Sequence, residues 1–116
     1  MILPEDLNIK IIKPKLQLCK NNLNRTVIGR LPEAYNIYLK AELGNINELS
    51  FNIPFELTKN DRLIKNKNIE KIKERFLIKY TRGYYTEYFL IKKISDVMDD
   101  NGDYKKIECF SLGIEL

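Results

Sequence analysis

Over much of this chain, apolar and polar residues alternate at every second position. The clearest run sets Tyr35, Ile37, Leu39, Ala41 and Leu43 against Asn36, Lys40 and Glu42. A period of two puts one set on each face of an extended strand, so the run predicts a strand with a dry face and a wet face. Gly44-Asn45 follows as a turn. Leu49, Phe51 and Ile53 then alternate with Ser50 and Asn52 until Pro54, which predicts the end of the second strand. Two patterned strands around a short turn predict an antiparallel hairpin.

The same reading extends in both directions. Leu16 and Leu18 share one face of Lys15–Lys20. Asn21-Asn22-Leu23-Asn24 is a turn signal, and Thr26-Val27-Ile28 reads as a returning strand ended by Gly29. After Pro54, the polar stretch Thr58–Lys67 contains Asn60-Asp61 and predicts a loop. Asn68 is placed to cap a helix, Glu70 suits the positive end of its dipole, and Ile69 and Ile72 share a face. This predicts one or two helical turns ending near Arg75 and plugging one end of the β core.

Phe76, Ile78 and Tyr80 then alternate with Leu77 and Lys79, and Arg82-Gly83 marks a turn. Tyr85–Ile94 is partly apolar on both faces, which predicts a central strand. Asp99-Asp100-Asn101-Gly102-Asp103 reads as a hairpin tip built on Asn-Gly. Tyr104–Leu112 returns as the last strand, with Ile107, Cys109 and Phe110 as expected buried members. The expected fold is mainly β: an antiparallel β-barrel or sandwich of about seven strands with one short helix. Regularly spaced crossover helices, which a parallel α/β sheet needs, do not appear. The 116 residues predict a single domain, with 1–14 as an N-terminal extension and 15–116 as the β domain.

Composition changes this picture little. Hydrophobic residues make up 44% and charged residues 31%, a soluble globular balance. No apolar run approaches the roughly 18 residues of a membrane span, so no membrane partner is expected. Met1-Ile2-Leu3-Pro4-Glu5-Asp6 lacks the basic-then-apolar pattern of a secretory signal, which predicts synthesis and folding inside a cell. The net charge is +4, from 20 basic and 16 acidic residues. Lys, Ile, Asn and Tyr are abundant while Val, Ala and Arg are scarce, so AT-rich codon usage accounts for the lysine without a ligand.

Candidate chemistry is sparse. The chain has no histidine, which removes the commonest general base and zinc ligand and every Ser-His or Cys-His pair. Cys19 and Cys109 lie far apart and outside metal-ligand spacing, so reduced, half-buried thiols are expected. Asp99, Asn101 and Asp103 have the alternate spacing of a calcium loop, but Tyr104 stands where that loop needs glycine and Phe110 where it needs an acid. Glu42, Glu48, Glu56 and Glu87 fall on polar strand faces or in loops, where carboxylates are usually solvated. The five glycines are isolated and form no phosphate cradle. The expectation is a protein without catalytic residues, cofactor or metal. Tyr84, Tyr85, Tyr88, Lys92 and Lys93 lie close in sequence and leave a small nucleic-acid-binding β-barrel as the alternative. Strand aromatics more often pair across the sheet, so nucleic acid is not the expected partner. Tyr38, beside Lys40 on an otherwise polar face, together with Tyr84 and Tyr85, are the candidate protein-contact residues.

Ala34-Tyr35-Asn36-Ile37 through Asn47-Glu48-Leu49-Ser50-Phe51-Asn52-Ile53-Pro54 resembles the N-terminal region of phage minor structural proteins: the tail-hub, tail-tip and tail-associated endopeptidase proteins of phages and prophages of low-GC Gram-positive bacteria. That family carries a strand, a short turn, then Asn-x-Leu-Ser-Phe-x-Ile-Pro. Asn68-Ile69-Glu70-Lys71-Ile72 followed by Phe76-Leu77-Ile78-Lys79 looks like its short helix leading into a strand. Tyr88–Ile94 and Cys109-Phe110-Ser111-Leu112 look like its next two strands. The resemblance covers about residues 15–114. It implies a β-barrel hub domain at the end of the tail tube, with other tail proteins (the distal tail or tube protein) as partners. It also implies a homotrimeric ring when full length, and a place in the virion after synthesis in the bacterial cytoplasm. Longer members carry further hub domains, and some a peptidoglycan-cleaving domain, beyond the region corresponding to Leu116.

Overall fold

A computed structural model describes residues 13–20, 25–41, 46–100 and 102–112. Nine strands and one short helix run in the order β1 (Lys15–Cys19), β2 (Val27–Arg30), β3 (Tyr35–Lys40), β4 (Glu48–Pro54), β5 (Glu56–Lys59), β6 (Arg62–Lys65), α1 (Asn68–Lys71), β7 (Leu77–Arg82), β8 (Tyr85–Val97) and β9 (Tyr104–Ser111). Seven strands form one antiparallel sheet in the order β2-β1-β7-β8-β9-β4-β3, and β5-β6 form a separate hairpin. The mainly β expectation of about seven strands and one short helix is met. The 13-residue β8 is the middle strand of the seven, as its two-sided apolar pattern predicts. The expected turns at Asn21–Asn24 and Gly44-Asn45, together with Asn101 and most of the 1–14 extension, lie outside the described residues.

This sheet has to roll. Its two edge strands, β2 and β3, are joined by only Leu31–Ala34. Five extended residue steps reach at most about 18 Å. Seven strands laid flat would separate the edges by roughly 29 Å. Register shifts at Leu18/Cys19, Tyr35/Tyr38 and Ile91/Lys93 add the local twist that curvature requires. Among the described residues no ladder joins β2 to β3, so the rolled sheet stays open rather than closing into a barrel.

Inward residues line up in cross-strand rows. Leu18, Ile78 and Phe89 form one row, Ile91, Cys109, Leu49 and Leu39 a second, and Ile94, Ile107 and Phe51 a third. They form one buried core cluster, with the half-buried Leu39 and Ile94 packed against it and Leu31 and Ala34 of the edge link completing it. Cys19 and Leu77, directly paired, are also fully buried but fall on the opposite face by alternation.

Asn66–Ile72 bridges the seam by tying the end of β4, which neighbours the edge strand β3, to the end of the edge strand β2. The buried Asn66 donates from its backbone N–H to the Phe55 carbonyl (2.7 Å) and from Nδ2 to the Pro54 carbonyl (2.9 Å), both at the end of β4. Its Oδ1 accepts the Asn68 N–H at 3.0 Å. Asn68 Nδ2 reaches the end of β2 and the link after it, donating to the Arg30 carbonyl (2.9 Å) and Glu33 Oε2 (2.7 Å). Asn68 is therefore the first residue of α1 and not its cap. Lys67 precedes the helix and makes no side-chain cap bond. The helix also stops at Lys71 rather than near Arg75, because Ile72 turns extended and sends its side chain into the core.

Thr58–Lys67, expected as a loop, contains most of the β5–β6 hairpin. Asn60 and Asp61 have φ of 54° and 61° and form its two-residue loop. Two successive positive φ values are what a type I′ turn needs, and Asn and Asp are among the residues that tolerate them.

Both thiols are free and buried more deeply than the half-burial expected. Burial pushes the Cys109 thiol well above its ordinary value, and the neighbouring Glu108 carboxylate adds to the shift. An unfolded thiol ionises from about pH 8.5, while the folded one keeps its proton. Above that pH the unfolded chain alone gains by ionising, so folded stability is lost as pH rises, at roughly 1 kcal/mol per pH unit per thiol. Urea denaturation between pH 9 and 11 is therefore expected to show a pH slope about one proton smaller for Cys109→Ala than for the parent. Equal slopes would show that Cys109 ionises alike in both states.

Candidate assembly surface

The outward positions of four adjacent strands build a shallow groove of about 760 Å³. Alternation decides which residues reach it. One row crosses the sheet through Tyr38, Ser50, Glu108 and Lys93, and the next through Lys40, Glu48 and Phe110, continuing past the groove to Leu90. Tyr38 is 62% exposed at the β3 edge. Lys92, displaced by the β8 bulge, and Ile46 complete the rim. Charges are matched sideways: Lys40 lies opposite Glu48, and Glu108 opposite Lys93. Such a surface offers an aromatic anchor and polar partners without a single-sign field. Phe110, expected in the core, is half-buried here because it alternates outward from Cys109.

The bulge in β3 explains why Tyr35 left the dry face on which the sequence pattern put it. Asn36 takes φ 50°, the register shifts, and among the described residues of that run only Ile37 and Leu39 pack on the core, Leu43 lying outside them. Tyr35 turns outward and meets Tyr104 edge-on, with ring centroids 6.0 Å apart. Partial burial, then Tyr104 and Asp99 nearby, raise its phenol above the ordinary range.

The three candidate tyrosines do not form one patch. Tyr38 lines the groove. Tyr84 is fully exposed at the tip of the β7–β8 hairpin, after Gly83 with its φ of 62°. Tyr85 packs its ring on Tyr80 at 5.8 Å. The row through Tyr38 crosses β8 at Lys93, eight residues and roughly 26 Å from Tyr85.

The residues behind the nucleic-acid alternative are also dispersed. The Tyr88 ring is covered by the Arg25 guanidinium at 4.5 Å, while Lys92 and Lys93 share the groove with Glu48 and Glu108. The tested carboxylates separate as well. Glu48 is in the groove and Glu56 in the hairpin. Glu87 accepts from Ser111 Oγ and from Asn47 Nδ2, which ties β8 to β9 and to the segment before β4. Glu42 lies outside the described residues. Among the described residues, no three of His, Cys, Asp or Glu gather in a metal-holding group, and no helix is long and apolar enough to cross a membrane.

One surface escaped the sequence reading. The β5–β6 hairpin exposes Leu63 (67%) and Ile64 (41%). The pair Asn60-Asp61 was its signal, a two-residue turn between short runs holding Leu57 and Leu63-Ile64.

Comparison with curated proteins and comparison with solved structures return no match. The family model described as YOMG N-terminal domain matches residues 18–109, from near the end of β1 to within β9. It spans every strand of the rolled sheet and the β5–β6 hairpin, and on that extent the chain belongs to the YOMG N-terminal domain family.

Proposed function

We propose that this domain is a non-catalytic structural part of a phage or prophage tail tip or baseplate hub, holding neighbouring proteins together at the end of the tail tube. The observation that carries the reading is the four-strand groove with Tyr38 at its edge and laterally paired charges around it. Tyrosine on a firm sheet supplies contact area at low entropic cost, and paired charges fix register with little bias toward polyanions. The resemblance supports the same reading, because its Asn-x-Leu-Ser-Phe-x-Ile-Pro motif is β4, one wall of the groove. The partners in this reading are other tail proteins, the distal tail or tube protein first, with a homotrimer in the full-length protein. The domain is made in the bacterial cytoplasm and resides in the virion.

Two experiments bear on it. Labelling the domain and imaging purified tails by electron microscopy is expected to place the label at the tail tip, and its absence from the particle overturns the proposal. Tyr38→Ser is expected to cut incorporation into tails without changing the melting temperature of the isolated domain by more than a few degrees, since the ring is mostly in solvent. Normal incorporation would remove Tyr38 from the interface.

A further inference from the structure

The β5–β6 hairpin leaves one side unmatched. All four residues of β6 are exposed, and its outer edge carries no ladder among the described residues. The edge of β5 is less available: Phe55 donates to the Asp103 carbonyl where β5 begins, and Leu57 is half-buried. Within the hairpin, β5 complements β6 at one end only. Glu56 lies opposite Lys65 and Leu57 opposite Ile64. At the other end Thr58 lies opposite Leu63, and Lys59 opposite Arg62, a like-charge pair of the kind that destabilises a ladder. Lys65 is also held by Glu70 at 2.6 Å. The apolar Leu63 and the cationic Arg62 are thus the two positions whose chemistry β5 does not meet.

We infer that the β6 edge is a docking site for an extended segment of another protein. That segment places an acidic residue opposite Arg62 and apolar residues opposite Leu63 and Ile64, and adds as a third strand. A two-stranded hairpin is marginal in water by itself, and a third strand is what gives such a unit independent stability. Strand addition takes its affinity from main-chain bonds and its selectivity from the side chains opposite. Alternation assigns the faces. Arg62 and Ile64 point to one side and Leu63 and Lys65 to the other, so the incoming strand reads acid-apolar-apolar against β6. This inference deepens the proposed assembly role by naming the kind of partner segment. Its test needs no tail particle, so the two can fail separately.

The register also says which amides must respond. In a two-residue hairpin the residues flanking the loop, Lys59 and Arg62, bond to each other, so the N–H groups of Leu63 and Lys65 point to the open edge. The probe is a synthetic octapeptide with Glu-Val-Ile-Glu at its centre, titrated to about 1 mM into the full, isotope-labelled chain and followed by amide NMR. Leu63 and Lys65 are expected to shift and to gain protection from hydrogen exchange, while Arg62 and Ile64, already bonded inside the hairpin, gain little. Arg62→Glu is expected to weaken the peptide about tenfold, and a Lys-Val-Ile-Lys peptide to bind that variant better than the parent. Three results would each overturn the inference: no shift over residues 62–66, protection at Arg62 and Ile64 instead, or equal binding of the acidic and basic peptides to the parent. Backbone amide dispersion of residues 56–65 in the variant verifies that its hairpin is intact.

Discussion

Replacing Phe89 with alanine is expected to destabilise the domain by about 3–5 kcal/mol. Phe89 is fully buried on the central strand and lies in register between Ile78 and Ser111. Its ring meets Tyr80 edge-on at 6.1 Å. Neighbouring strands fix the surrounding backbone on both sides, so the sheet cannot close over the space that the ring leaves. A domain of this size is stable by roughly 5–15 kcal/mol in total, so the loss takes a large share of it. Chemical denaturation followed by circular dichroism reads the change directly. The melting temperature should fall by about 10–20 °C. A loss under about 1 kcal/mol would mean that the sheet does not roll around Phe89. As a comparison, Leu63→Ala on the exposed hairpin is expected to shift stability by no more than about 0.5 kcal/mol.

The second large effect is expected at the seam. Asn66→Ala should cost about 1–3 kcal/mol, although it removes only a small side chain. Asn66 is 2% exposed, and its amide serves two groups at once, the Pro54 carbonyl and the Asn68 N–H. Its loss leaves both without that partner where little water reaches. It also loosens the segment that carries Asn68 to Arg30 at the end of β2 and to Glu33 in the edge link. Asn68→Ala, half-buried, should cost less. The expected signature is local as well as global. Amide exchange should speed up at Leu31 and Ala34, whose N–H groups bond within the edge link and to β1, more than at Ile78 in the sheet centre. Equal acceleration everywhere would show that the seam is not a separate opening unit. The Lys65–Glu70 pair, which ties the hairpin to α1, holds the Glu70 carboxyl below the ordinary range. Both side chains are exposed, so it steers the chain there more than it stabilises it.

These expectations place stability and the proposed contact surfaces in different parts of the fold. The inward rows hold the domain together, while the outward groove beside Tyr38 and the edge of the β5–β6 hairpin are the surfaces proposed for other proteins. The inward half was legible because alternation is a direct consequence of strand geometry: period two put Leu16 with Leu18 and Phe51 with Ile53 on one face each, Ile107 and Cys109 were expected among the buried members of the last strand, and all are buried. The candidate surface was legible only in part. Tyr38 stood out because it broke a polar face, yet its neighbours in the groove, Glu108 and Lys93, lie about 55–70 positions away in sequence.

Local patterning along the chain determined the strands of the rolled sheet, their hairpin pairings and the central place of β8, because each depends on residues within a few positions of one another, while β5 and β6 escaped it. The tertiary structure alone decided the rest. The roll of the sheet follows from a four-residue link between its two edges, a constraint that appears only once the strand order is known. The outward turn of Tyr35 follows from a bulge at Asn36, and a single extra residue flips every side chain before it. The role of Asn68 passed from helix cap to seam bridge because the Arg30 carbonyl and Glu33, 38 and 35 positions earlier, came within its reach. Period two says which face a residue takes, but the register between strands decides what it meets there.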